Sequence, residues 1–205
     1  MPYAPSAFQT QFEQQLRGED ALLSGHFRLS SGLHSDTYVQ CARFLRRPEL
    51  AAPALAELAR LIQEAGLQPD VVVGPAMGGV VVSYELARQL GTPSLFTERD
   101  ADTKMVLRRG FTLDPGQKII IAEDVVTTGK STLEVAAVLR QMGVEVLGVA
   151  CLIDRTGGRH ELDFPLFALL PVQAATYQPE TCPLCAKGLP AVKPGSRPDA
   201  VPALA

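Results

Sequence analysis

Glu123 and Asp124 stand side by side at the end of an apolar run, Ile119, Ile120, Ile121 and Ala122, and are followed at short range by Thr127, Thr128, Gly129, Lys130, Ser131 and Thr132. A loop of hydroxyls and glycine between a buried strand and a helix start makes an anion site. The first amides of a helix have no partner inside the helix and point outward, and the helix dipole favours negative charge there. The threonine and serine hydroxyls add donors, and Gly129 lets the backbone approach a ligand closely. Carboxylates do the opposite and accept hydrogen bonds. Acids placed just before a phosphate cradle can therefore grip the hydroxyls of a sugar whose phosphate lies on the following amides, so the segment suits a ribose 5-phosphate. The plainer alternative is a pair of solvated acids at a strand end followed by an ordinary capping turn.

Two better-known nucleotide motifs fail on spacing. A P-loop needs a glycine five places before Gly129, where Asp124 stands, and Gly74, Gly78 and Gly79 do not match the first, third and sixth positions of the dinucleotide fingerprint.

The elements that must position these residues follow from periodicity. Phe8, Phe12 and Leu16 share one face of a short N-terminal helix, and residues 24–35 read as a loop-rich stretch. Pro48 suits a helix start; Leu55, Leu58 and Ile62 keep helical spacing until Gly66. Val71, Val72, Val73 and Gly74 form a short β-branched run of the kind buried on both faces of a sheet, and residues 82–90 read as a helix closed by Gly91. Further strands are expected at 94–96, 119–122 and 144–153, with a helix carrying Val135, Val138, Leu139 and Met142 between the last two. This alternation predicts an α/β fold, a central mainly parallel sheet flanked by helices on both faces. From Pro179 onward, prolines, glycines and small residues predict an irregular segment with a mobile end.

Composition narrows the function classes. The 205 residues carry 19 Lys and Arg against 22 Asp and Glu, a net charge of -3, which lacks the basic excess of a dedicated nucleic-acid binder. No apolar stretch is long enough to span a bilayer, and residues 1–5 show no basic region leading into an apolar one, so a cytoplasmic protein is expected. Four cysteines are too few for a disulfide scaffold; Cys41 and Cys151 read as core thiols. Cys182 and Cys185 could be half a zinc site completed by a second chain, but one CxxC with no Cys or His pair near it in sequence is weak, and both read as plain thiols. His26 and His34 read as polar loop residues.

Residues 119–132 resemble the signature of the type I phosphoribosyltransferase family. The likeness extends to residues 25–38, 73–79, 98–99, 107–111 and 153–155, which are similar in order and spacing to the orotate phosphoribosyltransferases. The resemblance implies a single domain over residues 1–205, with an N-terminal base-binding hood over 1–45, an α/β core over 46–180 and an irregular C-terminal segment over 181–205. It implies transfer of the phosphoribosyl group of 5-phosphoribosyl 1-pyrophosphate (PRPP) to orotate, giving orotidine 5′-monophosphate and pyrophosphate. Magnesium would be held mainly by the donor and water, with no direct protein ligand. The implied partners are these small molecules and a second copy of the chain, a homodimer with a catalytic loop shared between subunits.

Carried over by residue, Glu123 and Asp124 hold the ribose hydroxyls, and Val125, Val126, Thr127, Thr128, Gly129, Lys130, Ser131 and Thr132 the 5-phosphate. Gly74, Pro75, Ala76, Met77, Gly78 and Gly79 form the pyrophosphate loop. Arg155 binds orotate with Thr127, Ser30, Tyr38 and Val39, while Arg99 and Lys104 are the cations for pyrophosphate, with Arg108 and Arg109 as substitutes. Ser30 and Gly78 stand where many relatives have lysines, and residues 100–104 form a shorter loop than usual. A purine phosphoribosyltransferase or a PRPP-sensing regulator are the competing readings; charge and the lack of a basic extension weigh against the regulator.

Overall fold

The computed structural model describes residues 5–194, so the expected mobile end lies largely outside the described residues. Helix α1 (Ala7–Gly18) is closed at its N-terminus by a capping box between Ser6 and Gln9 and buries Phe12 and Leu16. Strands β1 (Leu22–Arg28) and β2 (His34–Val39) follow, then helices α2 (Cys41–Leu45) and α3 (Pro48–Glu64). Strand β3 (Val71–Pro75) leads into α4 (Gly78–Leu90), then β4 (Ser94–Arg99), β5 (Met105–Leu107) and β6 (Lys118–Val126). Helix α5 (Lys130–Gln141), strands β7 (Glu145–Asp154), β8 (Leu166–Pro171) and β9 (Thr176–Tyr177), and a short α6 (Pro183–Ala186) complete the described residues; the irregular reading from Pro179 onward is thus corrected in part, since a 3-10 turn (Pro179–Thr181) and α6 fall there.

Six strands form the main sheet in the order β5-β4-β3-β6-β7-β8, parallel except for β5 at one edge. Its central strands consist of β-branched runs because both faces are covered: Val72, Ile120 and Ala150 pack with α1, α3 and α4, while Val71, Val73, Ile119 and Ile121 pack with α5. The expected α/β class and parallel sheet are therefore observed. The N-terminal and core segments share one apolar cluster, in which Phe12, Leu16 and Phe44 meet Leu55, Leu58 and Leu86.

The loop-rich reading of residues 24–35 is corrected. Most of that stretch belongs to an antiparallel hairpin, β1 with β2, joined through a turn in which the Gly32 amide donates to the Leu29 carbonyl. With β9 it makes a second, three-stranded sheet, so the hood takes one strand from the far end of the chain. Its polar and glycine-containing sequence has no clean alternation, and the register shifts between Ser24 and Phe27.

The order of the main sheet fixes where a ligand belongs. From β3 the chain steps to β4 on one side, and β6 later pairs on the other, so neighbouring crossovers part at the carboxyl ends of β3 and β6. In open α/β sheets such a switch point leaves a crevice for ligands.

Candidate active site

The loops after β3 and β6 meet in that crevice. One cavity of about 260 Å³ is lined by Pro75, Ala76, Gly78, Arg99, Met105 and every residue from 123 to 132. Strand β6 runs further than the apolar pattern indicates, so the two acids lie within it, ahead of Val125 and Val126. Burial, reinforced by the Asp124 charge, pushes the Glu123 carboxyl up to about 8. Burial also raises Asp124, against the opposing effect of the Val125 amide, which donates to Asp124 Oδ1 at 2.9 Å. These are not solvated strand-end acids. They are desolvated carboxyls facing a cavity, each of which gains from a hydroxyl or cation that reaches it.

Helix α5 begins as the anion-site argument requires. Gly129 occupies its N-cap with φ 78°, a left-handed conformation that favours glycine and that brings no side chain to the N-cap itself, while Thr128 Oγ1 accepts from the Lys130 amide at 3.3 Å. The residues of the first turn line the cavity together with Thr127 and Thr128, so first-turn amides without a partner inside the helix lie at the cavity wall beside four hydroxyl side chains. On the opposite wall, a Cβ added at Gly78 would lie 2.5 Å from the Asp124 carboxyl carbon. Glycine at this position is what lets the two loops touch. Met77, by contrast, is 84% exposed and points away from the chain's interior.

The cations divide. Arg99 lines the cavity, its guanidinium held by the Thr103 carbonyl at 2.6 Å and Glu134 Oε2 at 2.5 Å. Lys104 lies in the β4–β5 hairpin and is not part of that lining. Arg109 forms a two-pronged pair with Glu98 at 2.9 and 3.1 Å, and Arg108 lies 3.8 Å from the same carboxylate.

Arg155 follows β7, and its amide donates to the Val126 carbonyl at 2.8 Å, which sets it beside the loop that follows β6. It lines a second cavity, of about 450 Å³, with Asp36, Thr156, Arg159 and Gln173. Its Nε is buried without a hydrogen-bond partner, and burial lowers its pKa while Asp36 opposes the shift. A half-buried guanidinium with an unused donor is a site for an anion of carboxylate shape.

The other expected base residues are not in that cavity lining. Ser30 is exposed in the hairpin turn, Tyr38 packs its ring against Phe27 at 5.7 Å, and Val39 packs against the main core. Sequence reasoning missed Met105 in the first cavity and Asp36, Thr156, Arg159 and Gln173 in the second. Thr156 and Arg159 flank Gly157 and Gly158, a glycine pair directly after a strand that could have marked a binding turn.

A family model described as a phosphoribosyl transferase domain matches residues 45–180. The orotate phosphoribosyltransferase of Desulforamulus reducens is 54% identical over 177 residues, covering 86% of this chain and 91% of that protein. That of Carboxydothermus hydrogenoformans is 50% identical over 177 residues, covering 86% and 92%. The crystal structure of orotate phosphoribosyltransferase from Aeropyrum pernix matches with a TM-score of 0.65 at 27% identity, covering 78% of this chain and 92% of that one.

Proposed function

The chain belongs to the phosphoribosyl transferase family and, within it, to the orotate phosphoribosyltransferases, and from that premise we propose how its own residues carry the reaction. The enzyme joins orotate to the anomeric carbon of PRPP and releases pyrophosphate, giving orotidine 5′-monophosphate for pyrimidine synthesis. Bond breaking builds positive charge on the ribose and negative charge on the leaving group, so catalysis is positioning and charge stabilisation with no covalent nucleophile.

Glu123 and Asp124 accept from the ribose hydroxyls; Glu123, which holds its proton in the absence of donor, gives it up as the magnesium-bearing donor arrives, and the negative charge then favours the cationic ring as it develops. The amides and hydroxyls of residues 127–132 hold the 5-phosphate, while the loop of Gly74 to Gly79 and Arg99 receive the pyrophosphate. The acidic and hydroxyl donors facing the cavity are oxygens, a set that fits a magnesium ion keeping its waters and held mainly by the donor's phosphates. When bound, that ion supplies charge neutralisation to the leaving group. Arg155 forks onto the orotate carboxylate and holds the ring against the anomeric carbon.

The observation that carries the choice of base is the buried, unpartnered Nε of Arg155 next to the phosphate loop. It calls for an anionic base. Turnover with orotate, adenine, xanthine and uracil, each with PRPP and magnesium, tests it: orotate alone should be converted, and turnover of a purine in preference to orotate would overturn the reading.

The functional unit is a homodimer. Met77, Val81 and Tyr84 recur at helical spacing along the start of α4, all three exposed, beside the pyrophosphate loop. A second copy seated there covers this apolar stripe and brings its β4–β5 hairpin to the neighbouring site, which gives Lys104 a place to act. The buried, unpaired thiols of Cys41 and Cys151 suit the reducing cytoplasm in which this synthesis would run.

A further inference from the structure

Outside the lining of both cavities, four side chains converge from opposite ends of the chain. His26 lies on β1 and His34 at the start of β2, while Cys182 is the N-cap of α6 and Cys185 its third residue. Their ligand atoms all lie within 4.8 Å of one another. The pair of histidines that the lone CxxC lacks in sequence is present in space.

The distances resemble the edges of a tetrahedron. Metal bonds of about 2.3 Å to sulfur and about 2.05 Å to nitrogen require S···N edges of about 3.5 Å. His26 Nε2 lies 3.5 Å from Cys182 Sγ and 3.7 Å from Cys185 Sγ, and His34 Nδ1 lies 3.3 Å from Cys185 Sγ. The two ring nitrogens are 2.8 Å apart and would open by roughly half an ångström around an ion with tetrahedral bonds.

The surroundings also set the tautomer. His26 Nδ1 lies 2.8 Å from the Leu189 carbonyl, which can only accept, so this nitrogen carries the proton. In the neutral ring Nε2 then keeps its lone pair and aims it at the cluster. A histidine held by its other nitrogen on a backbone carbonyl is the usual support behind a metal ligand. Three of the four residues are buried, and the fourth, Cys185, closes the outer side.

We propose that His26, His34, Cys182 and Cys185 bind one structural zinc ion that fastens the C-terminal segment to the base-binding hood. Two thiolates and two neutral imidazoles suit zinc over magnesium or calcium, and four protein ligands leave no open position for catalysis. Binding releases the two thiol protons and leaves a site of zero net charge. The hood needs such a fastening. Its strands have 7, 6 and 2 residues, too little to bury a core of its own. Beyond the ligands the chain continues along β1, where the Val192 amide donates to the His26 carbonyl at 2.9 Å and the Arg28 amide to the Val192 carbonyl at 2.8 Å. The ion ties together the two chain segments that these bonds align.

The test uses the untagged full chain, purified without chelators from zinc-replete cells. Elemental analysis should find about one zinc per chain. Exchange for cobalt(II) should give the intense visible bands of a tetrahedral ion together with thiolate-to-cobalt charge transfer. Chelation should release zinc and expose two further thiols to a thiol reagent, with a lower Tm in the same sample. Cys185→Ser should lose the zinc, and because that variant is free to misfold, the wild-type metal content stands as the deciding measurement. Little or no zinc in a folded, orotate-active wild-type chain would overturn the proposal, as would a Cys182–Cys185 disulfide in that chain. Orotate turnover is scored separately, so failure here leaves the assignment of the reaction untouched.

Discussion

At the scale of single residues, the account turns on carboxyls and a guanidinium whose solvation is incomplete until ligand arrives. Asp124 faces both loops of the cavity and packs under Gly78, so Asp124→Asn keeps the shape and removes the charge. Turnover should fall by roughly 10²–10³ while the Tm changes little, since one removed electrostatic contact to a transition state has that effect. Steady-state kinetics beside thermal unfolding checks it. Glu123 gives a pH signature in the absence of donor. Its carboxyl rises from an ordinary value of 4.5 to about 8, so the folded chain keeps a proton that the unfolded chain has lost. Stability is greatest below pH 4.5 for this group's contribution and declines as pH rises toward 8. Glu123→Gln should flatten that decline, which amounts to a few kcal/mol at most, at about 1.4 kcal/mol per pH unit. A wild-type Tm profile that matches the variant across this window would contradict the burial argument. Arg155→Ala should raise the KM for orotate by roughly 10- to 100-fold, the worth of a charged hydrogen-bonded pair, and leave the KM for PRPP nearly unchanged.

At the scale of elements, the phosphate loop works because a strand and a helix are pressed against another loop. Gly78→Ala places a methyl carbon against the Asp124 carboxyl, so either α4 or β6 must shift. Weaker PRPP binding with unchanged orotate affinity at saturating donor is the expected outcome, measured by the two KM values. The same elements show how far sequence carries. Strands β3, β6 and β7 are legible since runs such as Val71 to Val73 and Ile119 to Ile121 are buried on both faces of a parallel sheet. Helix α5 is legible from its stripe and from Gly143. Strand β8, with Leu, Phe, Ala, Leu, Leu and Pro, has no β-branched residue and passes unnoticed, although it pairs in parallel with β7 along five registered residues. The β1–β2 hairpin is hidden by polar residues that face a small sheet rather than a core. The acids and hydroxyls of residues 123–132 could be read because they are contiguous; Asp36 beside Arg155 and His26 beside Cys182 could not, because each pair joins distant segments.

At the scale of the whole molecule, the switch point of the sheet sets the crevice between the loops after β3 and β6, and the proposed homodimer would bring a second subunit to its loop side. Tyr84→Glu, placed on the exposed stripe of α4, should shift the chain from dimer to monomer in light scattering and lower turnover with it. Mixed dimers of Arg155→Ala and Lys104→Ala chains should recover part of the activity that either homodimer lacks, because one composite site is then intact; no recovery would place Lys104 outside the neighbour's chemistry. The kinetic outcomes presuppose that residues 123–132 enclose the phosphorylated sugar. A crystal structure with bound orotidine 5′-monophosphate tests that most directly. The account predicts the ribose diol on Glu123 and Asp124, the phosphate on the amides after Thr127, and the base carboxylate on Arg155. Nucleotide density in another pocket, with this crevice empty at saturating ligand, would contradict it.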